Sequence, residues 1–279
     1  MFQINWKLKA FLYKVFQFLK LKKTFYFIQK YITRRSRVNI HEINPHWKRH
    51  ETSIKNNGCK NLLEIGAGKS LEQNIYFSYI LNGQLDQTVI DISKMIDFQL
   101  FNEASRQISD LLNLKFKGSV SNQEDILDQY NIKYIAPCKI EDLNDKKFDI
   151  CVSTTTLEHF TLDDLKNFLK DIKKNLNLNG LVSSLIDYSD HYSHTDNSIN
   201  SLNFLKFDES NWKKYNNEYL YQNRLRHQDY RKLFNDFNYK IKKEYKGDAL
   251  KKFQNISRKF DADNDETFIC WGYYLISVN

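Results

Sequence analysis

The nine residues LLEIGAGKS, at positions 62–70, decide the fold of this chain. A short apolar run carries one acid, Glu64, and is followed by the turn Gly66-Ala67-Gly68. The next residues, LEQNIYFSYIL, repeat their apolar positions with the spacing of a helix. The stretch therefore predicts a strand, a tight glycine turn and a helix, a local structure that α/β proteins use to bind nucleotides.

Two phosphate-binding motifs are excluded by single residues of this turn. A P-loop ending at Gly68-Lys69-Ser70 needs a glycine at position 63, where Leu63 stands. A dinucleotide GxGxxG turn needs a glycine at position 71, which is Leu71. The remaining ExGxG pattern suits a nucleoside ligand that carries a carboxylate and an amine in place of a pyrophosphate.

Further strands of an α/β sheet follow in order. The stretch QTVIDIS ends a second strand at Asp91, twenty-three residues after Gly68, where an acid can accept hydrogen bonds from both ribose hydroxyls. A buried strand is predicted at Phe148–Ser153, with a helix after it, and NGLVSSLIDYSD reads as the next strand. These elements predict a doubly wound, mostly parallel sheet.

In order and spacing, LLEIGAGKS, VIDIS, KIEDL, FDICVSTTTLEHF and LNLNGLVSSLIDYSD resemble the class I S-adenosylmethionine-dependent methyltransferases, particularly the type 11 and 12 groups. The resemblance covers about residues 61–190 and the C-terminal tail. It implies S-adenosylmethionine as cofactor, with a cofactor-binding set that comprises Glu64, Gly66, Ala67, Gly68, Asp91, Ile140, Glu141 and Ser153. Within that set, Asp91 would hold the ribose, while Ile140 and Glu141 would flank the adenine.

The sequence departs from the family pattern at two positions and agrees with it in the tail. Ser70 replaces a common third glycine, and Lys139 stands where an adenine-contacting Asp is frequent. The tail segments YKIKKEYK and TFICWGYYLISV read as two strands. Family members insert an antiparallel strand seven between strands five and six, an ending that a dehydrogenase does not need. We therefore expect a seven-stranded sheet with this antiparallel strand in a domain spanning residues 41–279.

Histidines follow two of the predicted strands. His159 comes after strand four, and His191 and His194 lie in IDYSDHYSHTD after strand five. Open α/β sheets place their sites at the carboxyl ends of strands, so these three histidines are the candidate catalytic residues. Proton transfer from a hydroxyl acceptor suits histidine. Two alternatives stay open for the loop after strand five, a polar solvated loop and a metal site, whose ligands would be Asp187, Asp190, His191, His194 and Asp196. For His159 the alternative is a histidine at a helix start with a structural hydrogen bond, and the preceding Glu158 favours the N-terminus of that helix.

An insert at about residues 187–230 is the candidate lid over the acceptor. Trp212 and several tyrosines could stack on sugar rings, and Arg224 and Arg226 could pair with phosphate or carboxylate. The alternative is that the aromatics pack in the core and the arginines lie on a solvated helix face.

The positive charge of the chain is concentrated at its N-terminus. The whole chain has a net charge of +8, and residues 1–40 hold ten Lys or Arg and no acid. Leu8, Leu12, Val15 and Leu19 share one helical face, which predicts a basic amphipathic arm. The arm suits an anionic membrane surface. The same pattern is equally compatible with an arm that packs across the domain. An RNA-binding arm is less well supported, because the basic residues are not accompanied by an RNA-recognition motif.

Together these features predict an S-adenosylmethionine-dependent methyltransferase that methylates an oxygen of a saccharide, a glycan or a lipid-linked acceptor. Alternatives are a non-catalytic cofactor-binding scaffold and a methyltransferase acting on RNA or a small metabolite. Residues 153–157 read STTTL and lack the Asn/Asp-Pro-Pro-aromatic motif of many enzymes that methylate nucleic-acid bases, which disfavours nucleic acid. The four cysteines have no CxxC spacing, which predicts buried thiols, with Cys151 and Cys270 in apolar runs, and a cytoplasmic protein, at most peripheral on the inner membrane face.

Overall fold

A computed structural model describes residues 3–21, 24, 27–28, 37–144 and 146–278. Most of the second half of the predicted basic arm, between positions 22 and 36, lies outside these residues. No helix in the described part of the chain is both long enough and apolar enough to cross a membrane.

Seven strands form one sheet in the order β3-β2-β1-β4-β5-β7-β6. Strand β7 runs antiparallel to both of its neighbours, and all the other pairs are parallel. The strands are β1 Asn61–Ile65, β2 Asp86–Ile90, β3 Ile132–Ile135, β4 Phe148–Thr154, β5 Leu176–Asp187, β6 Tyr239–Lys246 and β7 Trp271–Val278. The predicted fold class, including the antiparallel strand inserted between β5 and β6, is confirmed.

Eight α-helices are described in these parts of the chain. They are α1 Trp6–Phe18, α2 Pro45–Asn56, α3 Glu72–Ile80, α4 Phe98–Leu112, α5 Gln123–Tyr130, α6 Leu162–Asn175, α7 Glu209–Trp212 and α8 His227–Asp236. Capping side chains begin several of them: Asn44 starts α2, Asp97 starts α4 and Thr161 starts α6.

Side chains that alternate along the central strands fill two cores, one on each face of the sheet. On β1, Leu62 packs into a core that α2, α3, α4 and α5 cover. Its neighbour Leu63 points to the other face, into a core that α6 and α8 cover. The domain is therefore a three-layer sandwich, and the carboxyl ends of β1, β2, β4 and β5 meet along one edge.

The structure corrects the sequence reading in two places. The predicted last strand TFICWGYYLISV begins only at Trp271, because Asp265–Phe268 form a 3₁₀ turn that the Asn264 side chain caps. Cys270, expected to be buried, is only half-buried next to this turn, whereas the thiol of Cys151 is fully buried.

The N-terminal helix α1 rests on a third, smaller core formed largely by the insert. Trp6 and Ala10 are buried there beside Tyr192 and Trp212. The carboxylate of Asp196 accepts a hydrogen bond from the Trp6 backbone N–H at 2.7 Å, which ties the start of the helix to the loop after β5. The face that packs on the protein is thus the one that holds Trp6 and Ala10.

The opposite face of α1 is apolar and exposed. The exposed apolar side chains recur at helical spacing and are Leu8, Phe11, Leu12, Val15, Phe18 and Leu19. They include the predicted apolar face of the arm. Packing of α1 against the domain therefore buries a different face, and the apolar face points away from the protein.

Candidate active site

The glycine turn after β1 allows other groups to approach its backbone closely. Gly66 and Gly68 have φ values of +70° and +77°, a conformation that side-chain-bearing residues rarely adopt. A Cβ on Gly66 would lie 2.5 Å from Cγ2 of Thr156, so this glycine permits contact between the turns after β1 and β4. A Cβ on Gly68 would meet nothing within 4 Å, so this glycine faces open space.

Glu64 lies at the base of this turn and is fully buried. Gln73 Nε2 donates to one of its carboxylate oxygens at 3.1 Å and Asn74 Nδ2 donates to the other at 2.8 Å. Burial raises the pKa of Glu64 to about 7, although these two hydrogen bonds oppose the shift. A positively charged ligand group bound in the turn would therefore stabilise the ionised form of Glu64, which burial disfavours.

Buried hydrogen bonds continue from Glu64 across the sheet. Thr154 Oγ1 donates to Gln73 Oε1 at 2.8 Å and also contacts His50 Nε2 at 3.1 Å. His50 Nδ1 lies 2.7 Å from Ser183 Oγ. Burial lowers the pKa of His50 to about 3, so its ring is neutral and links the hydroxyls of β4 and β5. These hydrogen bonds fix the side chain of Gln73, and through it that of Glu64.

Sequence reasoning missed Gln73, Asn74 and Thr154. The sequence did contain a sign of this role for Gln73 and Asn74. These two amide side chains are adjacent in the first turn of the helix after the glycines, where the apolar pattern predicts hydrophobic residues.

The ribose candidate Asp91 directly follows β2 and is 8% exposed. Its Oδ1 accepts a hydrogen bond from the Ser93 backbone N–H at 3.2 Å, which orients the carboxylate. The next residue, Ile92, is 78% exposed and was also missed by sequence reasoning. An apolar side chain this exposed beside the candidate ribose ligand offers a surface for a planar base.

The candidate adenine residues lie on a 3₁₀ turn, Ile140–Leu143. Glu141 is exposed and pairs with Lys139 Nζ at 3.3 Å. Asp142 accepts a hydrogen bond from the Lys139 backbone N–H at 2.8 Å and so caps the turn. An acid is thus present in this turn despite the lysine at position 139. Ser153 is buried on β4 opposite Ile65, and its hydroxyl has no hydrogen-bond partner among the described residues.

The structure brings the three predicted catalytic histidines together. The ring centroids of His159 and His191 lie 5.0 Å apart, and those of His191 and His194 lie 5.2 Å apart in a stacked arrangement. Asp187, the last residue of β5, joins them: its Oδ2 is 3.2 Å from His191 Nε2 and 4.0 Å from His194 Nε2. The cluster lies at the carboxyl ends of β4 and β5.

Glu158 is a further member of this cluster, with a carboxylate oxygen within 4.8 Å of ring nitrogens of His159 and His191. Its side chain is 2% exposed, and neither carboxylate oxygen has a hydrogen-bond partner among the described residues. Burial raises the pKa of Glu158 well above its usual value, and the nearby charge of Asp187 adds to the shift. The backbone N–H groups of Glu158 and Asp187 oppose the shift in part, although neither makes a hydrogen bond of normal geometry to the carboxylate. From the sequence, Glu158 is expected only to favour a helix start, and its burial is an effect of the tertiary structure.

The other two aspartates of the loop after β5 are engaged elsewhere. Asp190 is buried and accepts hydrogen bonds from the Tyr192 backbone N–H and from Asn203 Nδ2. Asp196 holds the start of α1. In the part of the chain that the structure describes, the ligand atoms of Asp187, Asp190, His191, His194 and Asp196 do not converge within 4.8 Å of one another, and Asp190 and Asp196 instead stabilise the fold of the loop.

The candidate acceptor residues of the insert are structural. Arg224 donates through Nη1 to the carbonyls of Phe204 and Phe207, and Arg226 donates through Nη1 to the carbonyl of Tyr188 at 2.8 Å. Both arginines are buried, and so is Trp212, at 1% exposed. Core packing, the alternative stated for the aromatic residues, is what the structure shows for Trp212. The solvated helix face expected for Arg224 and Arg226 is wrong, because backbone carbonyls bind both side chains in the interior.

No family model matches the chain, and neither does any curated protein. Structures similar to it include a Burkholderia thailandensis 1,6-didemethyltoxoflavin-N1-methyltransferase with S-adenosylhomocysteine, at 11% identity and a TM-score of 0.49, covering 91% of this chain and 85% of that one. The Bradyrhizobium japonicum N-methyltransferase NodS, also with S-adenosylhomocysteine, has 12% identity, a TM-score of 0.43 and coverages of 85% and 89%.

The CurJ carbon methyltransferase has 14% identity and a TM-score of 0.44, with 78% of this chain covered. The chain spans 48% of the CurJ structure, about half of its length. Two of these three proteins methylate nitrogen and one methylates carbon, so the similarities single out no acceptor atom.

The sheet itself carries the assignment of the fold. Its strand order, the antiparallel β7 between β5 and β6, and the glycine turn after β1 are those that the sequence resemblance implies. The chain has the fold of the class I S-adenosylmethionine-dependent methyltransferases.

Proposed function

We propose that the protein is a methyltransferase that uses S-adenosylmethionine and methylates a hydroxyl oxygen of a lipid-linked or saccharide acceptor. The observation that carries the cofactor part is the turn at Gly68, which has open space where a side chain would stand. Buried Glu64 lies at the base of the turn, and Asp91 directly follows the adjacent strand β2. When bound, S-adenosylmethionine supplies a methyl group on a positively charged sulfur.

The residues present fit such a group chemically. The Gly66–Gly68 turn and Glu64 would hold the methionine part, and Asp91 would accept hydrogen bonds from the ribose hydroxyls. Ile92 would cover one face of the adenine, next to the turn of Ile140 and Glu141.

The acceptor part rests on the histidine cluster. A hydroxyl must lose its proton during methyl transfer, and a side chain within hydrogen-bond reach can take it. His194 has a side chain that is 54% exposed, stands near Asp187 and lies on the loop that leaves β5. We assign His194 the role of proton acceptor, and Asp187 the role of orienting the rings of His191 and His194.

The test is transfer of a labelled methyl group from S-adenosylmethionine to a cell extract separated into lipid and aqueous fractions. We expect an alkali-stable, ether-linked methyl group, in the lipid fraction for a lipid-linked acceptor or in the aqueous fraction for a free saccharide. Labelling of nitrogen or carbon would contradict the hydroxyl assignment. Cofactor binding with no product in any fraction would favour the alternative of a non-catalytic scaffold.

Helix α1 supports action at an anionic membrane surface. Its outward face carries Phe11 and Phe18, which are 63% and 85% exposed, between the lysines of the basic arm. Aromatic and leucine side chains insert into the lipid interface, and lysines are attracted by anionic headgroups. Because the packed face of the same helix holds Trp6, deleting residues 1–40 would damage the fold, so substitutions are the better test.

We expect wild-type protein to sediment with phosphatidylserine vesicles at low salt and to detach as the salt concentration rises. The double substitution Phe11→Ser and Phe18→Ser should reduce sedimentation at least tenfold. Leu178→Ser is the matched control, since Leu178 is 92% exposed on β5. Equal sedimentation of all three proteins would contradict the membrane proposal.

A further inference from the structure

The geometry points to a divalent transition-metal site formed by Glu158, His159 and His191. One ligand atom from each of these side chains lies within 4.8 Å of the others. Two imidazoles and one carboxylate form a donor set that binds Zn²⁺, Fe²⁺ or Mn²⁺ with other positions open to water or substrate. This set differs from the loop ligands considered from sequence, because it includes Glu158 and omits Asp190 and Asp196.

Glu158 is the independent observation that a ligand is needed. A buried carboxylate in a folded protein is normally paired or hydrogen-bonded, because its desolvation is costly. Both oxygens of Glu158 lack a hydrogen-bond partner among the described residues, although the side chain is only 2% exposed. A bound cation would supply the missing partner.

The histidines are oriented as metal ligands are. The ring of His159 contacts the Tyr221 carbonyl through Nδ1 at 2.6 Å, so Nδ1 carries the hydrogen and Nε2 keeps a lone pair. Backbone carbonyls commonly orient metal-binding histidines in this way. The ring of His191 is positioned by Asp187, whose Oδ2 lies 3.2 Å from Nε2. Both rings are therefore held in place from outside the triad.

A second cluster of histidine and glutamate side chains differs from the first because its carboxylates are paired with a cation. His227, Glu244 and Glu266 also place ligand atoms within 4.8 Å of one another. There, however, Arg231 pairs with Glu266 at 2.8 Å and with Glu244 at 2.5 Å, and His227 lies 2.6 Å from Glu244. Cationic side chains already balance those carboxylates, so of these two clusters among the described residues it is the Glu158 cluster that lacks a cation.

The role of the ion, unlike its binding, rests on the proposed function. The triad lies at the carboxyl ends of β4 and β5, on the same edge as the glycine turn and beside His194. An ion there would bind oxygen atoms of the acceptor and hold them next to the methyl donor. The acceptors that fit are those with a hydroxyl and a second oxygen ligand close by, such as vicinal diols.

The test is binding of Zn²⁺ or Mn²⁺ to chelator-treated full-length protein, measured by titration calorimetry and by metal content after desalting. We expect one equivalent in wild type and at least a hundredfold weaker binding in Glu158→Gln and in His191→Ala. His41→Ala, which removes an exposed histidine outside the cluster, is the matched control and should bind as wild type does.

Thermal unfolding separates ligand loss from misfolding. The Glu158→Gln protein should unfold at a higher temperature than metal-free wild type, because a buried carboxylate is removed, yet show no upward shift when metal is added. Unchanged metal affinity in Glu158→Gln would overturn the site, and so would absence of binding to wild type, binding of Mg²⁺ alone, or loss of binding in His41→Ala. S-adenosylhomocysteine affinity, measured in the same proteins without metal, reports on the proposed cofactor site separately.

Discussion

Replacing Gly68 by Ala should weaken cofactor binding far more than it weakens the fold. The backbone of Gly68 has a φ of +77°, and a residue with a Cβ in this conformation costs roughly 1 kcal/mol. No atom of the protein lies within 4 Å of the new methyl group, so packing adds nothing to this cost. The methyl group would instead occupy the open space that we assign to the methionine part of the cofactor.

Gly83 provides a matched control. It has a φ of +73°, and a Cβ there would also meet nothing within 4 Å. It lies between α3 and β2, at the opposite end of the strand from Asp91. Gly83→Ala therefore carries the same backbone strain without reaching the candidate site.

The assay is calorimetric titration with S-adenosylhomocysteine, together with denaturant unfolding of each variant. Both variants should lose a similar free energy of unfolding, of about 1 kcal/mol. Only Gly68→Ala should lose affinity, by about tenfold or more, which corresponds to about 1.4 kcal/mol. Wild-type affinity in a folded Gly68→Ala protein, or an equal loss of affinity in Gly83→Ala, would show that the cofactor does not bind beside Gly68.

Three further outcomes are expected. Gly66→Ala should destabilise the protein by about 2 to 3 kcal/mol, since its Cβ would meet Thr156 at 2.5 Å, and adding Thr156→Ala should recover part of the loss, as denaturant unfolding would report. Burial raises the pKa of Glu64 from 4.5 to about 7, so the folded state binds more protons than the unfolded state. The free energy of unfolding without cofactor should therefore fall from pH 5 to pH 8, and the fall should be smaller in Glu64→Gln. The same pH dependence in Glu64→Gln and wild type would contradict this. His194→Ala should lower turnover by about 10² to 10⁴ with donor affinity intact, and full activity would remove His194 as the proton acceptor.

Apolar runs in the sequence located six of the seven strands, but not β3, Ile132–Ile135. The number of strands and the antiparallel β7 came from the family resemblance, and the glycine spacing distinguished the turn after β1 from phosphate-binding turns. The approach of His159 to His191 and His194 also followed from their positions after adjacent strands, because β4 and β5 are neighbours in the parallel sheet. These features depend on neighbours in sequence or on strand order.

Features that depend on tertiary packing could not be read in this way. Arg224 and Arg226 look like surface cations in sequence, but backbone carbonyls from distant segments satisfy them in the interior. The apolar face of α1 is a normal core pattern, yet the domain buries the face with Trp6 instead. Glu158 appeared to be a helix-start acid, and only its burial without a partner distinguishes it.

Binding of S-adenosylmethionine by Asp91 and the glycine turn can be measured by calorimetric titration of wild type and of Asp91→Ala. We expect one equivalent of the cofactor to bind to wild type. In a folded Asp91→Ala protein the binding free energy should be weaker by about 1 to 3 kcal/mol, the usual cost of leaving the partners of a buried group unpaired. Absence of binding to wild type, or equal affinity in the two proteins, would show that these residues do not form the cofactor site.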